Sequence, residues 1–237
     1  MKASKPQIPF FSFGDQRALT TALAARIKTE LENDLNSIDQ ASLAVPGGNT
    51  PRALFDALSV QELRWDNVLI TLTDERWIDP DHEHSNEKMV RDHLLQHKAK
   101  TATLLALKNS AATPFEGEKD LQTELLKLPD VMTLALLGLG EDGHCASFFP
   151  HSPQLNAALD IASGKPCQAI ASDQLRQARM TLSLGRILAS KLIIIYFTGE
   201  KKRQTYQQAL TAGPVENLPI RSMLTQQQCP VAVYWAP

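Results

Sequence analysis

Several things are scarce in this sequence, and each scarcity narrows what the chain can be. Its 237 residues hold three cysteines, Cys145, Cys167 and Cys229, odd in number and far apart. That is no disulfide framework; it fits reduced thiols in a cytoplasmic protein. Net charge is nearly absent, with 24 Lys and Arg against 26 Asp and Glu, a formal balance of −2. Without a polyelectrolyte signature, neither nucleic acid nor an anionic membrane is an expected partner. No segment approaches the ~20 apolar residues of a membrane span. Residues 1–13 carry Lys2 and Lys5 but no long apolar run, which makes them a poor signal peptide. Repeats, low-complexity tracts and a clear linker are also missing, so the chain reads as one domain over 1–237.

What is present is a recurrence of short runs rich in Val, Ile and Leu. Those at 41–45, 68–73, 131–137 and 192–198 are apolar almost throughout, as strands buried on both faces are. Weaker strand candidates lie at 102–107, 167–171, 180–184 and 231–235. The intervening stretches 16–32, 51–58, 85–97, 115–126 and 201–212 have helical character. Pro51 suits a first helical turn with Thr50 as its cap, and 213–219 reads as a loop. The alternation predicts an α/β fold, a doubly wound, mostly parallel sheet with helices on both faces. Such folds bind ligands beyond the carboxyl ends of their strands.

Three motifs stand at that edge. Pro46-Gly47-Gly48-Asn49-Thr50-Pro51 offers small residues, N–H groups and a hydroxyl before a helix, as a phosphate nest does; a plain capped turn is the alternative. It lacks the spacing and ending of a P-loop. Asp74-Glu75-Arg76 closes an apolar strand. It can be a surface ion pair worth little, or Arg76 can bind an anion or polarised carbonyl while Asp74 orients a neighbour. Gly138-Leu139-Gly140-Glu141-Asp142-Gly143-His144 has the glycine spacing of a dinucleotide loop, but Glu141 and Asp142 put carboxylates where a pyrophosphate would sit. An acid, a glycine and a histidine at a strand end form an acid/base site instead, with His144 able to take a proton from water. Cys145 beside it reads as a packing residue, because neighbours in a helix do not face each other. Asp81-His82-Glu83-His84 reads as a polar loop more readily than a metal site. Among the remaining bases, Arg179 opens a strand-like run, and Lys201-Lys202-Arg203 begins a helix from which one lysine can reach a phosphate.

Taken in order and spacing, several segments resemble the 6-phosphogluconolactonase family, which groups with the glucosamine-6-phosphate isomerases. They are Gly47 to Pro51, Asp74-Glu75-Arg76-Trp77, Ser85-Asn86, Gly138 to Ser147, Arg179-Met180-Thr181-Leu182 and Gly199-Glu200-Lys201-Lys202, and the likeness covers nearly the whole chain. The resemblance implies a Rossmann-like fold, no metal and no redox cofactor. It implies that His144 is the general base, with Asp142 in the same signature and Arg76 in the Asp-Glu-Arg motif. Arg179 and Lys202 fall on basic positions near the sugar phosphate. Lys202 is selected over Lys201 because the family lysine follows its glycine by three. Asn49 stands where many members have Ser, and Cys145 where Thr is common.

The expected reaction is hydrolysis of 6-phospho-D-glucono-1,5-lactone to 6-phosphogluconate, the second step of the oxidative pentose phosphate pathway. His144 activates water, Arg76 stabilises the oxyanion, and Asp74 or Asp142 holds the imidazole or the water. Gly47, Gly48, Asn49, Thr50, Arg179 and Lys202 grip the substrate. The expected partner is a small sugar-phosphate lactone; the oligomeric state is left open, with a monomer compatible. A deaminase or isomerase on the same fold is the first rival, opposed by Ser147-Phe148-Phe149-Pro150 where deaminases place a glutamate. A nucleotide-dependent oxidoreductase and a non-catalytic sugar-phosphate sensor are the others. NAD binding would mark the former, and indifference of ligand affinity to loss of His144 the latter.

Overall fold

The computed structural model describes residues 8–172 and 175–237. Lys2 and Lys5 of the N-terminal stretch lie outside the described residues. The chain opens with β1 (Phe10–Ser12), α1 (Gln16–Ile38), β2 (Ala41–Val45), α2 (Arg52–Ser59), β3 (Val68–Leu72), β4 (Asp74–Arg76) and α3 (Asn86–Met89). It continues through β5 (Thr103–Leu105), α4 (Pro114–Glu124), β6 (Met132–Leu137), α5 (Leu155–Leu159), β7 (Cys167–Ile170) and β8 (Arg179–Leu182). It ends with α6 (Leu184–Leu188), β9 (Ser190–Thr198), α7 (Glu200–Leu210), α8 (Arg221–Thr225) and β10 (Val231–Ala236).

Seven strands form one parallel sheet in the order β1-β10-β9-β6-β2-β3-β5. Its central strands explain their own composition: every residue of β2, β6 and β10 is buried, which only continuous apolar runs tolerate. Helices cover both faces. Tyr234 of β10 meets Arg26 of α1, while Phe197, in register with the next residue Trp235, packs on Tyr206 of α7. Successive strand residues face opposite ways, so α1 and α7 lie on opposite sides. Among the described residues no helix is long and apolar enough to cross a membrane.

Helix α1 forms because Asp15 caps it, accepting from Ala18 N at 2.7 Å, and because Leu19, Leu23, Ile27, Leu31 and Leu35 share one buried stripe. It ends at Asp39, which adopts a left-handed conformation with φ 57°. The helix runs six residues past the expected 16–32, to Ile38. The extension is held by Asp34, a buried acid at the N-terminal ends of the strands. Its carboxylate accepts from Thr133 Oγ1 and from Lys191 Nζ, each at 2.6 Å. Thr133 and Ser42 exchange further bonds across β6 and β2 at 2.9 and 3.0 Å. Replacing Asp34 with alanine strands the Thr133 hydroxyl in the core, and we expect urea unfolding to show a loss of about 1–3 kcal/mol.

Three sequence expectations need correction. The candidates near 167–171 and 180–184 are strands, but they leave the parallel sheet and form a separate antiparallel sheet, β4-β8-β7. Its third member, β4, is the Asp74-Glu75-Arg76 motif itself, too short and charged to read as a strand. The expected helix 85–97 is α3 followed by a wider turn over Val90–Leu94. Thr50 is not a cap either: Pro51 is already helical in conformation, Phe55 N donates to its carbonyl at 2.8 Å, and no side chain caps α2.

Candidate active site

Strands β2, β3 and β6 end side by side, and the loops that follow them meet β8 and the start of α7 around one cavity of about 310 Å³. Gly47, Gly48, Asn49, Thr50, Asp74, Arg76, His144, Arg179 and Lys202 all line it. Asp142, the remaining site residue expected from the sequence, stands behind His144.

After β6 the chain turns tightly: Gly143 N donates to Gly140 O at 3.1 Å, and Gly140 N to His144 O at 2.9 Å. Asp142 Oδ1 accepts twice from His144, from its backbone N at 3.1 Å and from ring Nδ1 at 2.6 Å. An ionised carboxylate can only accept, so Nδ1 carries the hydrogen and the Nε2 lone pair is left free. Burial acts to raise the Asp142 carboxyl, but the hydrogen bond and charge of His144 outweigh it and hold it below the usual carboxylate range. The imidazole ring rests against Phe149, centroids 4.7 Å apart. The loop is braced from behind: Thr205 Oγ1 donates to Glu141 O at 2.8 Å, Ile220 N to Gly143 O at 2.9 Å, and Leu218 packs on Gly143. Cys145 is no nucleophile. It lies in a turn, not in a helix, and burial pushes its thiol far up, with Asp74 and Asp142 adding to the shift.

The Asp-Glu-Arg motif is not a surface ion pair, since Asp74 and Glu75 are 6% and 1% exposed. Asp74 Oδ2 accepts from Ser147 Oγ at 2.6 Å and from Arg179 Nη1 at 3.2 Å, and its carbonyl accepts from Asn86 Nδ2 at 2.8 Å. It therefore ties the histidine loop, β8 and α3 together, and it is Asp142 that pairs with His144. Glu75 accepts from the backbone N of Arg76, Asn86 and Glu87 at 2.6, 2.9 and 2.7 Å, and from Ser85 Oγ at 3.1 Å. Burial raises its carboxyl despite those bonds. Arg76 faces Arg179 across the β4–β8 ladder and donates to His84 O. Burial and then the Arg179 charge lower its guanidinium, against the pull of Asp74 and Glu75. Arg179 pairs with Asp74, whereas Arg76 makes no ion pair within 4 Å among the described residues; both guanidiniums line the cavity, where an anion can meet them.

Also lining the cavity, the N–H groups from Gly47 to Thr50 donate to no backbone atom among the described residues, the condition for an anion nest at a helix start. Gly47 also serves another purpose: a Cβ there would fall 2.0 Å from Asn86 Oδ1. Lys202 enters from α7, and burial lowers its ammonium, with Glu141 opposing. Lys201 points to Glu141 at 3.9 Å, and Arg203 lies over Trp235, 4.3 Å from the ring centroid.

Sequence reasoning missed Asn86, Ser147, Phe149 and Tyr196, which build or line the cavity. Asn86 and Ser147 lie inside segments that carried the resemblance, but their partners are remote in sequence. Among the described residues no group of three or more His, Cys, Asp or Glu is arranged to hold a metal. The arrangement can bind a phosphate and present a free imidazole nitrogen to an activated carbonyl.

The glucosamine-6-phosphate isomerases/6-phosphogluconolactonase family matches residues 14–235. The chain is 36% identical to a 6-phosphogluconolactonase of Mesorhizobium japonicum over 95% of this chain and 94% of that one. It is 33% identical to the 6-phosphogluconolactonase of Rhizobium meliloti, covering 95% and 97%. Its structure is similar to that of a 6-phosphogluconolactonase from Shewanella baltica, with a TM-score of 0.95, 38% identity, and coverage of 98% and 99%.

Proposed function

We infer that this chain, which belongs to the glucosamine-6-phosphate isomerases/6-phosphogluconolactonase family, hydrolyses 6-phospho-D-glucono-1,5-lactone to 6-phosphogluconate, with His144 activating the attacking water. The activity places it in the oxidative pentose phosphate pathway. The observation that carries the mechanism is the 2.6 Å bond between His144 Nδ1 and Asp142, which leaves Nε2 free at the cavity wall.

A lactone carbonyl is already electrophilic, so neither a covalent nucleophile nor a Lewis acid is required. Nε2 takes a proton from water, and the water oxygen bonds to C1 while the carbonyl π pair moves onto its oxygen. Arg76 stabilises that oxyanion by charge. The pair then returns, the bond from C1 to the ring oxygen breaks, and the imidazolium gives its proton to the leaving oxygen. Asp142 fixes the ring tautomer and balances the transient positive charge. Asp74 is a positioning residue that holds Arg179 and the histidine loop. The Gly47–Thr50 turn, Arg179 and Lys202 hold the 6-phosphate and set C1 against the water. A single lactonase domain over 1–237 and a cytoplasmic location belong to the same proposal, the latter supported by three buried, unpaired cysteines.

The test follows the disappearance of freshly prepared lactone with the spontaneous rate subtracted. Absence of any excess rate ends the assignment. In the same assay Lys202→Ala is expected to raise KM about tenfold or more, the worth of one charge-assisted phosphate contact, with a smaller change in kcat. An unchanged KM removes Lys202 from the phosphate site.

A further inference from the structure

One polar group at this cavity lacks a partner. Tyr196, on β9, is 2% exposed and lines the cavity. Its hydroxyl is buried and makes no hydrogen bond among the described residues. Leaving a hydroxyl buried and unpaired is costly, and phenylalanine would fill the same space without that cost. The register neighbour in β10 differs: the Tyr234 hydroxyl, on the same face, is not a buried atom without a partner. A buried hydroxyl kept without a protein partner, on a residue that lines a cavity, is accounted for if its partner is a ligand.

The identity of that ligand group follows from what surrounds the tyrosine. Strand β9 runs through Gly199 into α7 and so delivers Lys202 to the cavity that Tyr196 lines. The Gly47–Thr50 turn lines it too, and its N–H groups are free of backbone partners. These groups are donors or cations, and together they call for an acceptor with several oxygens. Burial drives the phenol's ionisation well above its usual range, so at neutral pH it remains an O–H donor.

We propose that the Tyr196 hydroxyl donates a hydrogen bond to the 6-phosphate of the substrate, directly or through one water, and helps select phosphorylated from unphosphorylated lactones. The proposal rests on the sugar-phosphate reading of the cavity. Its test is therefore a binding measurement that needs no turnover. Calorimetric titration would compare wild type with Tyr196→Phe, using 6-phosphogluconate, inorganic phosphate and gluconate as probes. The expected result is a Kd about tenfold weaker for both phosphate-bearing probes, the lower end for a bond to a charged group, with gluconate unaffected. The ligand-free variant should melt at the same temperature as wild type or higher, because an unpaired hydroxyl has gone. In turnover the loss should fall on KM more than on kcat. Unchanged phosphate affinity with a raised melting temperature would reduce Tyr196 to an unpaired core group. Equal weakening of gluconate, a lowered melting temperature, or a wild type that binds no phosphate would each overturn the proposal. A wild type that binds 6-phosphogluconate through Tyr196 yet hydrolyses no lactone would keep the phosphate site and remove the lactonase.

Discussion

Substituting alanine for His144 should lower kcat by about 10²–10⁴-fold, the usual contribution of a positioned general base. The fall has a definite origin. With Nδ1 tied to Asp142 at 2.6 Å, one imidazole nitrogen is committed and the other is the only part of that ring left to take a proton. Alanine removes the base and leaves the rest of the cavity in place. Affinity for 6-phosphogluconate should stay near its wild-type value, since the proposed phosphate grip lies on Arg179, Lys202 and the Gly47–Thr50 turn. The split between kcat and KM separates loss of a base from general damage: kcat should carry the defect while KM stays near its wild-type value. Folding is not expected to suffer, because the His144 side chain is 34% exposed and makes few core contacts. Full turnover in His144→Ala, after subtraction of the spontaneous rate, would remove the base assignment and leave the fold and phosphate site untouched.

The parts of the fold legible in the sequence were those set by local composition. Strands β2, β3, β6 and β9 are nearly continuous apolar runs because each is covered on both faces, and such runs announce themselves. What escaped was decided by distant partners. The edge strand β1 is exposed along its length and exists because it pairs with β10, more than two hundred residues away in the chain. The last turns of α1 are polar and look like loop, yet Asp34 is buried there by Thr133 and Lys191. The small antiparallel sheet was hidden because β4 is three residues long and begins with two acids. Their burial is offset by hydrogen bonds from Ser147, Arg179, Ser85 and the start of α3, none of which spacing reveals.

The candidate site divides the same way. His144 and its acidic neighbour were legible because the two belong to one short loop. The choice between Asp74 and Asp142 as the imidazole's partner was not, since both are acids at strand ends. It is decided by where Asp74 points once Arg179 and Ser147 have claimed it. Tyr196 gave no signal at all. In sequence it is one more large residue in an apolar strand, and only the absence of a partner for its hydroxyl sets it apart.

The glycine frame itself leads to the second large effect, a loss of about 10²-fold in kcat for Gly140→Ala, the scale on which misplacing a catalytic group by about 1 Å is felt. Spacing alone would assign these glycines to a pyrophosphate, but the structure gives Gly140 another task. A Cβ built there would lie 2.1 Å from His144 Nδ1, 2.3 Å from Cε1 and 2.5 Å from Asp142 Oδ1. Those atoms include both ends of the bond that fixes the tautomer, so the methyl group and the His144–Asp142 pair cannot share the space. The ring must swing outward or the loop must open. Because the imidazole is half-buried, swinging out is the cheaper response, and the variant should fold with only a modest drop in melting temperature. Gly143 would not isolate this effect: its φ of 83° strains any side chain, and Leu218 crowds it as well. Gly138 is the control, since a Cβ there meets nothing within 4 Å and the pair stays intact. The expected signature of Gly140→Ala is therefore a kcat defect with KM largely preserved, and a changed NMR environment for the His144 ring. Wild-type kcat in this variant would mean that the 2.6 Å bond is dispensable, and that Asp142 serves the loop rather than the chemistry.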